Sequence, residues 1–166
     1  MILGMSLHTF VLAHTAISIG AIIAGFIVMF GMLKSTRPGG LTALFLLLTI
    51  LTSATGFLIP PLLTDKLLPS HIIGGLSLVL LAIACIALYA MKLSGSWRWI
   101  YAVTALLALY FNTFVLVIQS FLKIPALTAV APGNPPSGPV FAVVQGVVLV
   151  FFVLMIIGAI RRFRPA

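Results

Sequence analysis

Acidic residues are almost missing from this sequence. Among 166 residues there is one, Asp65, against nine Lys or Arg. Charged residues of both signs reach only 6%, where a soluble domain carries about 25%. A chain with so few charges has no means to clothe a water-facing surface of ordinary size. It must meet lipid over most of its area.

The scarcity of acids also removes reactions. Proton-coupled carriers rely on an intramembrane carboxylate, and Asp65 falls in a connection between apolar runs. A Ser–His–acid arrangement lacks its third member. Ser70 and His71 are sequence neighbours, about 100° apart around a helix. A zinc site takes three or four ligands. Three histidines are present, but His8 lies six positions from His14 and off its face. Neither a catalytic residue nor a metal site is therefore expected.

Cysteine is as scarce. Cys85 is alone, so no intrachain disulfide forms, and its apolar setting reads as a small hydrophobe. The opening MILGMSLHTF has no Lys or Arg before its apolar run. The basic region of a cleavable signal is missing, which reads as an uncleaved first span. Long polar segments are missing too. The longest connection, 123–139, is too short for a soluble domain.

What the chain has is apolar length. Hydrophobic residues make up 63%, and they fall into five runs near the roughly 20 residues that a spanning helix needs. The runs are 7–33, 41–59, 71–91, 97–122 and 140–160. Pro38-Gly39-Gly40 breaks the first from the second, and Pro60-Pro61 closes the second. Pro69 and Ser70 read as the entrance of the third, with Ser70 as N-cap. The segment 123–139 holds five prolines and reads as a loop too broken for a regular helix. Backbone groups in lipid must be satisfied within their own segment, and strands of a membrane barrel are about 10 residues long and alternate in polarity. These runs are longer and do not alternate. The fold class expected is all-α, an integral membrane five-helix bundle.

The net charge of +8 is spread singly or in pairs between these runs, so nucleic acid is not the expected partner. Lys34, Arg37, Lys92, Arg98, Arg161, Arg162 and Arg164 fall on one side, with only Lys66 and Lys123 on the other. Seven against two sets the orientation by the positive-inside rule: N-terminus outside, C-terminus cytoplasmic, loop 123–139 external. Trp97 and Trp99 then sit at the inner interface.

Polar groups kept within the spans are the functional candidates. The intervals from His14 to Lys34, from His71 to Lys92 and from Arg98 to Gln119 are nearly equal. Converted by helical rise, each stands about 30 Å from the basic layer, near the outer edge of the hydrocarbon. The same conversion puts Gln145 about 24 Å from Arg161 and Asn112 about 21 Å from Arg98, somewhat deeper. Asn112 and Gln119 are two helical turns apart and share a helix face with Ala105 and Ala108. Small residues recur at helical spacing: Ala16, Gly20 and Ala24 in the first span, Thr49, Thr52, Ser53 and Gly56 in the second, Gly74 and Gly75 after His71. They mark faces where helices approach.

Three readings follow. The first is an accessory or scaffold subunit of a larger membrane complex, its polar residues serving as interhelical hydrogen bonds. In the second, His14 and His71 are the axial ligands of a b-type haem or related macrocycle, for electron transfer near the outer face. In the third, a pocket for a quinone, lipid or apolar solute is lined by Asn112, Gln119 and Gln145. The segments HTAISIGAIIAG, LTSATGFLIPP and SHIIGG resemble those of the small multi-span proteins of bacterial inner membranes that carry no assigned activity. That resemblance implies a bacterial inner-membrane location and supplies no catalytic residue. The chain departs from the cytochrome b561 type, which carries histidines at more than one depth. Here one level is populated, which allows at most one haem.

Overall fold

The computed structural model describes residues 2–60 and 69–165. Asp65 and Lys66, expected on the connection between the second and third spans, lie outside the described residues. The described chain is helical throughout: α1 (Leu7–Leu33), α2 (Gly39–Gly56), α3 (Pro69–Cys85), α4 (Trp97–Lys123), α5 (Pro125–Val130) and α6 (Pro139–Arg162). All but the short α5 are long and apolar enough to cross a membrane, α3 when taken with its continuation to Ala90.

Local chemistry explains most boundaries. Ser6 caps α1, its hydroxyl accepting from the Thr9 N–H at 3.1 Å. The other end closes with the Ser35 N–H on the Met32 carbonyl and the Thr36 N–H on the Gly31 carbonyl, Ser35 standing at φ 58°. That is the paired bonding of a Schellman turn, with serine where glycine is usual. Helix α2 stops at Gly56, short of the expected end at Ile59. From Phe57 to Ile59 the N–H groups bond three positions back, not four, and Pro60 disfavours helical geometry in the residue before it. Helix α3 begins at Pro69, so Ser70 lies inside its first turn and is not the N-cap. Proline fits that first position because its absent N–H would have no partner there.

Two features depart from the expected pattern. Residues Ile86–Ala90 continue α3 as a π-helical turn, with the Met91 N–H reaching the Ile86 carbonyl. The proline-rich segment also forms a helix after all. Pro125 occupies the first turn of α5, and the Thr128 hydroxyl donates back to the Phe121 carbonyl at 2.7 Å. Its prolines are spaced so that one starts α5 and another starts α6.

Helices α1 to α4 form an antiparallel ring, each packed on the next, with α4 closing on α1. Helices α1 and α3 stand diagonally across it. Helix α6 packs outside the ring, against α4 and α1. Contacts fix the two ends. At one, the Arg164 N–H donates to Ser35 and the Phe163 ring lies 5.9 Å from Tyr101. This end gathers the chain termini of the helices that carry the seven basic residues, and is called the basic end below. At the opposite end Phe121 meets Phe141 edge-on at 5.3 Å.

The core is concentrated in the basic half. Met29, Phe45, Leu81, Tyr101, Leu106 and Leu109 are fully buried there. The inward face of α1 runs through Ala21, Gly25, Val28 and Met32, and Ala16, from the expected small-residue face, points outward.

Candidate functional site

Near the opposite end the ring opens. A cavity of about 700 Å³ lies between α1, α2, α3 and α4, with Asn134 from the loop after α5 at its border. That volume falls in the range of small-molecule sites, roughly 300–1,000 Å³. Four of the five polar residues singled out by depth line it: His14, His71, Asn112 and Gln119. They arrive there because their helices enter from alternate directions at matched distances from the basic end. The fifth, Gln145, does not. It is buried on α6, where its Nε2 donates to the Phe114 carbonyl at 3.1 Å.

His14 is held in one orientation. Its Nδ1 lies 2.8 Å from Thr55 Oγ1. The Thr55 hydroxyl has a single proton, and the Leu51 carbonyl stands 2.6 Å away to receive it. The shorter contact directs that proton to Leu51, and in that arrangement Thr55 accepts from His14 and the neutral ring carries its proton on Nδ1. Nε2 is left with a lone pair, and it has no hydrogen-bond partner among the described residues. Gly56 lies beside the ring, where an added Cβ would stand 3.7 Å from His14 Cε1.

His71 is buried and lies flat against Phe57, ring centroids 5.7 Å apart and planes 12° from parallel. Gly74 makes room for this. A side chain there would press on the Phe57 ring at 3.4 Å. His14 and His71 thus stand on diagonal helices, on either side of the end of α2.

The remaining polar wall divides by whether its protons are already used. Thr15 and Ser18 donate to carbonyls one helical turn back, at 2.8 and 2.9 Å. Ser53, Ser77, Asn112 and Gln119 make no side-chain hydrogen bond among the described residues, and Asn112 Nδ2 is sealed from solvent without a partner. Sequence reasoning missed Thr55, Phe57 and Ser77. The spacing His71, Gly74, Ser77 carried a signal, since residues three apart share a face. Thr55 had none, because its role depends on α1 facing α2.

A second depression of about 510 Å³ at the basic end lies among Phe30, Gly31, Lys34, Thr36 and Arg37. It is formed by the end of α1 and the turn after it, and it joins no separate elements. Among the described residues no three of His, Cys, Asp and Glu gather.

No protein-family model, curated protein or solved structure matches this chain. The functional reading rests on the chemistry of the cavity.

Proposed function

We propose that this chain is a multi-pass membrane binding protein whose cavity takes a lipophilic small molecule with a polar head. The observation that carries this is a cavity shared by four helices in which apolar walls surround Ser53, Ser77, Asn112 and Gln119, whose side chains make no hydrogen bond among the described residues. Such groups are costly in an apolar medium unless something answers them. The rim supports entry from lipid. Ile19 and Leu116 line the cavity and are also exposed on the bundle surface. With the basic end cytoplasmic by the positive-inside rule, the cavity lies in the outer half of a bacterial inner membrane, and the N-terminus is external.

The test is to extract the purified protein with organic solvent and identify what accompanies it by mass spectrometry. Ser53→Phe puts a ring into the cavity. A compound present at near one per chain in the natural protein should fall at least tenfold in the variant. An unchanged lipid profile in both would sink the reading.

The second reading is a haem or related macrocycle. What favours it is the contact of His14 Nδ1 with Thr55, since a metal-ligating histidine ordinarily donates its other N–H to a positioned acceptor. His14 would hold the iron, with His71 as the candidate on the facing helix, and the group would supply one-electron chemistry. Visible spectra of the purified protein, oxidised and reduced, decide it. A colourless protein that stays colourless when haemin is added removes this reading.

An accessory role in a larger complex is compatible with both. Helix α6 exposes Val143, Val147, Val150 and Leu154 along its outer side, a face that lipid or another membrane subunit can cover.

A further inference from the structure

The polar groups of the cavity differ in how much they can discriminate. An amide has a donor end and an acceptor end, and a serine hydroxyl can serve as either. Gln119, Ser53 and Ser77 therefore accommodate a ligand oxygen of either kind, while Asn112, whose Nδ2 is sealed, has only its Oδ1 to present. His14 does not. With the Thr55 proton on the Leu51 carbonyl, the Nδ1 proton is used and Nε2 is left as an acceptor only. A ligand group facing Nε2 must be a donor. A carbonyl oxygen there would set lone pair against lone pair.

The apolar part of the wall adds a second constraint. Phe57 and Phe111 line the cavity, and Gly56 and Gly74 contribute no side chains to it. Flat faces with little relief suit a planar ring. The exposed rim at Ile19 and Leu116 leaves a path for a tail into lipid.

Resting on the binding-protein reading above, we infer that the ligand is a ring-hydroxylated aromatic lipophile of the quinol class. Its hydroxyl donates to His14 Nε2 and its second hydroxyl donates to Asn112 Oδ1. The inference concerns binding and involves no electron transfer by this chain. Its consequence is selectivity for redox state. The reduced form offers O–H donors, and the oxidised quinone offers only acceptors. One hydrogen bond made against one forfeited corresponds to a preference of about tenfold.

The experiment is equilibrium binding of decylubiquinol and decylubiquinone to the full chain in nanodiscs of neutral phospholipid, under argon. The expected result is saturable quinol binding about tenfold tighter than quinone. Thr55→Val keeps the shape of the threonine but removes the acceptor that fixes the tautomer. It should retain binding while the quinol-to-quinone ratio falls towards one. His14→Leu should show the same loss of ratio. If His14→Leu does not fold, Thr55→Val still carries the test, because a merely structural role would not change a ratio between two ligands of one shape. Equal affinity for both forms in the natural chain overturns the inference. So does haemin binding with a His14-dependent Soret shift, which assigns the cavity to a macrocycle. If a different lipophile co-purifies, is displaced by Ser53→Phe, and quinols do not bind, the binding-protein reading stands and the quinol assignment ends. If nothing co-purifies and nothing binds, both end, and the cavity holds water.

Discussion

The two halves of the ring use the same residue types to opposite effect. In the basic half, Gly25 lets α1 press on its neighbours so closely that a Cβ there would stand 2.5 Å from Leu109 and 2.9 Å from the Phe45 ring. Near the other end a Cβ at Gly56 would stand 3.7 Å from the His14 ring and one at Gly74 3.4 Å from the Phe57 ring, a looser approach. In lipid, association of helices comes from packing and interhelical hydrogen bonds, because lipid tails are as apolar as leucine. The basic half spends its small residues on close approach. The cavity half keeps its glycines at ordinary contact distance from the His14 and Phe57 rings. A bundle built only for packing has no reason to leave its second half open, least of all around two histidines and two amides.

The largest expected effects come from breaking this contrast outright. Phe45 is fully buried against Gly25 in the packed half. Phe45→Ala opens a void there, and in soluble cores such changes cost about 3–5 kcal/mol. The transfer share shrinks here because the unpacked helix stays in lipid, so a loss of about 2–3 kcal/mol is expected in reversible unfolding from mixed SDS micelles. Ser53→Phe adds a ring of the same size in the open half and should shift stability by no more than about 0.5 kcal/mol, as at positions away from packed features. Comparable losses in both variants would mean the cavity half is not open.

A finer version compares two glycines. Gly25→Ala must displace either Leu109 or a rigid, buried Phe45 ring, and overpacking of this kind costs about 1–3 kcal/mol. Gly56→Ala meets only ordinary van der Waals distance from His14. It should be neutral, or slightly stabilising, because alanine in a helix is favoured over glycine by up to about 1 kcal/mol. If the two substitutions cost the same, the difference in approach distance has no energetic meaning.

The five spans were legible because the apolar runs are long and are separated by local signals, Pro38-Gly39-Gly40 after the first and Pro60-Pro61 after the second, with basic residues after the others. The level of His14, His71 and Gln119 was legible because helical rise converts residue counts into depth. Depth leaves azimuth open, and that is where the reading of Gln145 parts from the structure. Its level is close to that of the cavity, but α6 packs outside the ring, so its side chain meets Phe114 instead. The Thr55 relay was invisible for a related reason. It joins residues 41 apart in sequence, and nothing local announces which helices face each other. The π-helical turn after Cys85 had no proline or glycine to mark it. In segment 123–139, five prolines counted together suggested a broken loop, whereas Pro125 starts α5 and Pro139 starts α6.

Gln145 supplies the smallest prediction, and it separates polar residues that hold the bundle from those that serve the cavity. Its Nε2 donates to the Phe114 carbonyl at 3.1 Å, while Oε1 is sealed with no partner among the described residues. An interhelical side-chain bond in a membrane protein contributes about 0.6 kcal/mol on average. A buried acceptor left unanswered costs about 1–3 kcal/mol. Gln145→Met keeps the length of the side chain and removes both terms together. The expected balance is a small gain, between zero and about 1 kcal/mol, with quinol binding unchanged because Gln145 does not line the cavity. A loss above about 1 kcal/mol would show that Oε1 has a partner in the membrane. Because Oε1 is sealed inside the bundle, between α6 and α4, that partner would be an enclosed water, and Gln145 would count among the residues that hold the bundle and not among those that serve the cavity.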